Sequence, residues 1–291
     1  VLGGSDFEIK VSSLRAAVTS IGLVQLEKLF SFKFKDKPQH LRRISIKPDK
    51  DRKSRPFAIV DYITQSALTN LHDDLYAILK KIPQDCTFDQ NQGVKDLAYG
   101  SHPCYYSFDL TAATDRFPIK LQEMVLTYLT SSEYSTAWVN AMVGTPFVLP
   151  SGRKISFNTG QPLGAKSSWA LFTLSHHFVV QYCAMLLNIE NPAYKLLGDD
   201  IVICDHKLAK LYLSIMTKLG VEISPIKTHK STKLFEFAKR FFLDSVEISP
   251  FPLNALIEGG TNIPNLIQVL SGPVADRGWL PLFITSSTPH Y

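Results

Sequence analysis

The chain has 291 residues, a formal net charge of +5, and a composition 45% hydrophobic and 20% charged. That balance excludes a disordered chain and leaves room for one large domain or two moderate ones. Four cysteines, Cys86, Cys104, Cys183 and Cys204, show no metal-ligand spacing. They point to reduced thiols in an intracellular protein rather than to a zinc site or a disulfide framework. The sequence starts at Val1, as a fragment or a processed product would, and Val1 to Ile9 lacks the features of a signal peptide.

Apolar spacing predicts a helix over residues 12–30 (Leu14, Val18, Ile21, Leu26, Leu29, Phe30). Between Lys33 and Arg55 stand ten basic residues against three acids, a net of +7. Such a segment reads either as a polyanion site, for nucleic acid or nucleotide phosphates, or as a solvated loop. Within it RISIK alternates like a strand, and Pro56 to Val60 reads as another. Asp61 to Lys81 has the apolar spacing of one amphipathic helix. Tyr105 to Leu110 is a short aromatic-rich strand pattern, followed by helical spacing around Pro118, read as a first-turn proline. Val148 to Phe157 reads as a hairpin turning at Ser151-Gly152. The apolar stretch Ser167 to Ile189 is long enough to span a bilayer, but His176, His177 and Gln181 near its middle favour a helix buried in protein. Tyr194 to Cys204 is strand, turn, strand, and Lys207 to Leu219 a helix closed by Gly220. Strands and helices mix without regular βαβ alternation, so the expected fold class is α+β.

Three separated segments carry chemistry. In YKLLGDDIVICD the aspartates Asp199 and Asp200 sit at a hairpin turn between apolar flanks, which argues for a hairpin central in a sheet; a solvated turn is the bland alternative. A second strand ends at Asp109, with Asp115 six residues on. Aspartates at the ends of neighbouring strands can hold magnesium, and two such ions suit nucleotidyl transfer, with Asp109 and Asp199 as principal ligands and Asp200 as a secondary one. In GQPLGAKSSWA, Gly160 and Gly164 would let a nucleic-acid backbone approach. Ser167 and Ser168 offer hydroxyls to ribose or phosphate, or simply cap the helix. Lys227 is a proton donor to pyrophosphate or one more surface lysine.

DLTAATDRFP, GQPLGAKSSWALFTLSHHFVVQ, LLGDDIVICD, LGVEIS with Lys227, and EFAKR stand in the order of polymerase palm motifs A to E. The pattern resembles the RNA-dependent RNA polymerases of mitoviruses, with narnavirus and levivirus replicases more distant. KPDKDRKSRPFAIVDYITQSAL is similar to the same family's motif F, and DCTFDQ to its lead-in to the palm. The resemblance runs from about Arg43 to Phe242.

It implies a right-hand polymerase palm with partial fingers and an incomplete thumb. Residues 1–100 would be fingers with motif F, 101–120 palm, 121–159 a fingers insertion, 160–246 palm, and 247–291 the start of a thumb or a tail. Asp109 and Asp199 would ligate two Mg²⁺ or Mn²⁺ ions, with Asp200 assisting. Asp115 and Ser168, with Ser167 beside it, would read the 2′-hydroxyl. Lys53 and Arg55 would grip the triphosphate, Lys227 would be the general acid, and motif E, with Lys239 and Arg240, would lie by the primer strand. Implied partners are template RNA, nascent RNA and ribonucleoside triphosphates, without stable membrane insertion; protein partners are not specified. The implied location is the mitochondrion.

Motif B departs from the family's usual Met and Leu at Leu163 and Lys166. Mitovirus-like sequences also occur as integrated copies in plant genomes, so the alternative is an inactive relic or RNA-binding fragment that keeps the palm. A reverse transcriptase or nucleotide cyclase fits less well. The first would carry a bulky aromatic under the 2′ position, and the second lacks the basic segment and the glycine–serine loop.

Overall fold

The alternation of RISIKP becomes strand β1 (Arg43–Pro48) in the computed structural model of the chain, which describes residues 40–48, 54–224 and 228–250 together with Ile257, Pro264 and Ile267. The helix expected over 12–30 and nearly all of 251–291 lie outside the described residues. Strand β1 pairs antiparallel with β2 (Ser54–Ile59), then runs parallel beside β4 (Phe147–Val148), which turns back into β5 (Lys154–Ile155). The hairpin expected at Ser151-Gly152 is therefore present, with short arms.

The single helix expected over 61–81 is two, α1 (Tyr62–Ala67) and α2 (Thr69–Leu79), separated at Leu68. Asp61 caps the first by accepting from the Thr64 N–H at 2.8 Å. After α3 (Gln90–Tyr99) comes strand β3 (Tyr105–Asp109), then the single turn α4 (Ala113–Arg116). Pro118 stands just outside α5 (Ile119–Leu129), in the capping position and not in its first turn. Then follow α6 (Ser132–Val143), the long α7 (Ser168–Leu186), the strands β6 (Tyr194–Leu197) and β7 (Asp200–Ile203), and α8 (His206–Lys218). Asp205 caps α8 at its start, and Gly220, at φ +73°, follows its end. The chain ends its described course in β8 (His229–Ser231) and the meander β9 (Leu234–Phe237), β10 (Arg240–Leu243) and β11 (Val246–Glu247).

The central sheet has the order β6-β7-β3-β8, and every neighbouring pair is antiparallel. Its period-2 alternation sends Tyr106, Phe108, Ile201 and Ile203 to one face and Tyr105, Val202 and Cys204 to the other. The first face packs on α7 and α8, the second on α3 and the β9–β10 hairpin. Burial on both faces explains why these strands read as continuous apolar runs. Only one arm of the GDD hairpin is central, however. Strand β6 is outermost, and its outer edge is covered by the chain at Gln84–Cys86 through bonds of 3.0 and 2.9 Å to Leu196.

Helix α7 is buried nearly all round in its first half, and in its second half it carries Phe178, Tyr182, Met185 and Leu186 as exposed apolar residues, which is why the whole stretch reads as a bilayer-length run. It packs toward the central sheet with Phe172, Val179 and Val180, and toward a second core around α2, α5 and α6 with Ala170 and Leu171. Among the described residues no helix is long and apolar enough to cross a membrane.

Helix α8 buries Leu208, Tyr212 and Met216 against the sheet while Lys210 points to solvent. Leu208→Ala is therefore expected to cost about 2–5 kcal/mol in urea melts. Lys210→Ala should stay within about 0.5 kcal/mol. Equal losses would refute this orientation of the helix.

Candidate active site

Strands β3 and β7 run side by side with Asp109 opposite Asp200, so two of the three aspartates arrive as direct cross-strand partners. The third, Asp199, occupies the β6–β7 turn. That turn needs Gly198: its φ is +61°, and a Cβ there would fall 2.0 Å from the Trp169 ring. His176 of α7 supports the turn from below. Its Nδ1–H donates to the Gly198 carbonyl at 2.7 Å, and its Nε2 accepts from the Tyr212 hydroxyl at 2.7 Å. The carbonyl can only accept, which sets the tautomer. Burial pushes this imidazole down to about 3, so it stays neutral.

The three aspartates line one cleft of about 610 Å³ with Trp169, His229 and Glu236. Asp200 is raised to about 7, first by burial and then by the charges of Glu236, Asp199 and Asp109; the Ala238 N–H, donating to its Oδ2 at 2.7 Å, opposes the shift. Glu236 is a carboxylate that sequence reasoning left without a role, although it stands in the EFAKR motif. Strand β9 brings it here because its own N–H donates to the Ser107 hydroxyl of β3 at 3.1 Å. Its side chain also faces His229, with Nε2 3.6 Å from Oε2.

Hard oxygen donors on adjacent strands, crowded enough to hold a proton on Asp200, suit a divalent cation such as magnesium. Among the described residues no group of three or more His, Cys, Asp or Glu side chains is placed to hold a metal ion.

Asp115 lies exposed in α4, where burial of its surroundings raises its carboxyl and Arg116 opposes the rise. Gly160 is needed for a contact inside the protein: a Cβ there would lie 2.1 Å from the Thr114 carbonyl. Gly164, at φ +106°, passes the Ala58 carbonyl. Neither serine caps α7 with its side chain. Ser167 is left-handed at φ 68°, and both serines are buried. The Ser167 hydroxyl accepts from Trp138 Nε1 at 3.0 Å, and its N–H donates to His72 Nδ1 at 3.1 Å. Gln65 pairs like a peptide with the Gly164 carbonyl and the Lys166 N–H, at 2.9 and 2.8 Å, while the Lys166 ammonium bonds to Thr69 at 2.9 Å.

His177 bonds to Tyr194 and Asp85 at 2.9 and 3.0 Å, so both histidines of the pair are satisfied core residues, as expected. Burial pushes the Cys204 thiol up to about 12, in keeping with an inert buried thiol. Lys239 sits exposed at the β9–β10 turn and lines the cleft. Arg240 is committed to Glu247 within the meander at 2.6 Å and to Asn91 of α3 at 2.8 Å. Lys53 and Lys227 lie outside the described residues. Arg55 is described only as backbone in β2, opposite Lys47.

Comparison with known proteins adds one family match, two relatives and two similar structures. Residues 5–272 match the family described as Mitovirus RNA-dependent RNA polymerase. The chain is 37% identical over 203 residues to the RNA-directed RNA polymerase of Cryphonectria parasitica mitovirus 1, covering 68% of this chain and 25% of that protein. It is 39% identical over 194 residues to an uncharacterized mitochondrial protein of Arabidopsis thaliana, covering 62% of this chain and 77% of that one. Its fold is similar to the BmCPV RNA-dependent RNA polymerase at elongation state, with a TM-score of 0.60 at 13% identity over 82% of this chain and 25% of that one. It is also similar to the RNA-dependent RNA polymerase of a human picorbirnavirus, with a TM-score of 0.55 at 13% identity over 71% and 45%. The chain thus spans about a quarter of the mitovirus polymerase that it matches, and the structural likeness speaks for the α+β polymerase fold alone. On the match over 5–272 and its ordered palm motifs, the chain belongs to the mitovirus RNA-dependent RNA polymerase family.

Proposed function

We propose that the chain carries the fingers–palm portion of an enzyme that joins ribonucleotides on an RNA template. The observation that carries this reading is the cleft where Asp109, Asp199 and Asp200 meet at the head of the central sheet. Asp109 and Asp199 would hold two Mg²⁺ or Mn²⁺ ions, with Asp200 assisting. Such ions, when bound, would supply the charge that activates a 3′-hydroxyl and stabilises leaving pyrophosphate.

The remaining roles belong to the chain's own groups. Gly198, propped by His176, keeps Asp199 at the mouth of the cleft. Asp115 and the Ser167–Ser168 turn read the ribose, and Gly160 and Gly164 let their loop lie close against motif A and β2. Lys53 and Arg55, by motif correspondence, hold the triphosphate, and Lys227 gives a proton to pyrophosphate. Lys239 meets the primer backbone at the cleft rim, on a turn that Arg240 steadies through Glu247. We assign residues 1–100 and 121–159 to fingers, 101–120 and 160–246 to palm, and 247–291 to a thumb start or tail. The names of the Arabidopsis relatives support the mitochondrion as location.

A second reading rests on the mitochondrial Arabidopsis relative, of which this chain covers 77%. In it, a short palm protein binds RNA without extending it.

Primer extension on a short RNA template, with four ribonucleotides and Mg²⁺ or Mn²⁺, separates the two. Extension is expected, falling at least ~10²–10³-fold in Asp199→Asn, the scale of removing one charge-stabilising group. RNA binding without extension by the folded chain would sink the polymerase reading and leave the second.

The raised carboxyl of Asp200 also has a measurable consequence in metal-free protein. The folded chain keeps this proton up to about pH 7, whereas the ordinary carboxylate value is 3.8. Its contribution to stability is therefore full below pH 3.8 and is lost as pH rises through about 7. Asp200→Asn removes that loss. In urea melts with chelator, the variant should gain on wild type between about pH 4 and pH 8. A stability difference that does not change with pH would refute the crowded, protonated Asp200.

A further inference from the structure

We infer that Gln161 is a positioning residue that fixes the spacing between the Asp115 turn and the Ser167–Ser168 helix start, and so sets how sharply ribose is distinguished from deoxyribose. This rests on the ribose-reading role proposed above for Asp115 and the two serines.

Gln161 is fully buried and touches both segments. Its backbone N–H donates to the Thr114 carbonyl at 2.9 Å, one residue before Asp115. Its side-chain Nε2 donates to the Ser168 carbonyl at 2.9 Å and to Gln122 Oε1 at 2.5 Å. Gln122, also fully buried, sends its own Nε2 back to the Phe117 carbonyl at 3.4 Å. A chain of amides therefore runs from the end of α4, through α5, to the start of α7. Each Nε2 faces only acceptors, which leaves one orientation for each amide.

The neighbouring residues close the same seam. The Ile119 N–H donates to the Thr159 carbonyl at 2.8 Å, and Gly160 presses on Thr114 and Asp115 so closely that a Cβ would not fit. Asp115 is thus held from both sides by the loop that begins motif B.

Packing alone does not account for an amide at this position. Gln161 Oε1 is buried without a hydrogen-bond partner, and so is Ser168 Oγ. An unsatisfied buried acceptor is costly, and Leu or Met would fill the volume without it. The backbone N–H of Gln161 holds the Thr114 carbonyl of motif A whatever the side chain; what the amide adds is the second half of the link, to the Ser168 carbonyl of motif B and to Gln122. With an apolar residue, the Ser168 carbonyl and Gln122 Oε1 lose that donor, and only the backbone bond to Thr114 still ties the two segments. A site built to hydrogen-bond a hydroxyl discriminates sharply only while its partners are held in place.

The test is equilibrium binding of ATP against 2′-deoxy-ATP, by titration calorimetry in Mg²⁺, which needs no turnover. Wild type should prefer ATP, and Gln161→Leu should lose that preference by about tenfold or more, the scale of an unpaired polar contact in a recognition site. Gln122→Met, which keeps the Gln161 bonds to Thr114 and Ser168, should lose less. A folded Gln161→Leu that keeps the full preference overturns the inference, as does a wild type that binds both nucleotides alike. If Gln161→Leu does not fold, Gln122→Met decides: an unchanged preference overturns it, and a reduced one supports it. Primer extension on the same samples keeps the two readings apart. A chain that prefers ATP but adds no nucleotide loses the polymerase reading and keeps this one.

Discussion

Like-charge crowding at the head of the central sheet is the constraint that the surrounding structure must withstand. Asp109 and Asp200 face each other across β3 and β7, Asp199 stands at the adjoining turn, and Glu236 approaches from β9. Without cations these carboxylates repel, and burial first, then the neighbouring charges, push Asp200 toward its protonated form. An arrangement of that kind persists only where neighbouring elements over-determine it.

The support comes from buried groups with few alternatives. Tyr212 donates to His176, His176 donates to the Gly198 carbonyl, and so the GDD turn is braced by two helices at once. From the other side, Ala238 and Glu236 spend backbone N–H groups on Asp200 and Ser107, which ties the β9–β10 hairpin to the sheet. A neutral His176 is required here: a protonated ring would place a charge in the core and lose its acceptor for Tyr212. The apolar flanks of β6 and β7 supply the rest. They anchor the strands from which the aspartates project, so binding function and core packing share the same few residues.

How much of this the sequence disclosed depends on the range of the interaction. The GDD hairpin was legible because glycine and alternating apolar residues act locally, as was the helix closed by Gly220. The break at Leu68 was not, because no glycine or proline marks it. Glu236 had no role beyond its place in EFAKR until β9 was placed over β3, a contact between segments 129 residues apart. The glycines of motif B were legible as necessary, but for a different reason: at Gly160 the close approach is to Thr114 and Asp115. Gln161 gave no signal beyond its place in the motif, since a glutamine in a loop reads as solvated until both its neighbours are known to be buried.

The motif B loop shows most clearly why long-range placement matters. Gln65 of α1 and Thr69 and His72 of α2 meet the loop at Gly164, Lys166 and Ser167. Trp138 of α6 reaches the Ser167 hydroxyl, and Gln161 joins the loop to motif A. Ser167 needs these partners, because a left-handed backbone costs a non-glycine residue roughly 1–2 kcal/mol. The loop is thus a seam between the core around α2, α5 and α6 and the core of the central sheet, with α7 belonging to both. Ser167 takes its partners from the second core, His72 of α2 and Trp138 of α6, while Ser168 is held through Gln161, whose backbone reaches Thr114 beside Ala113 of the sheet's core. On the roles proposed above, the aspartates draw on the central sheet, and the serine pair on the loop and the second core.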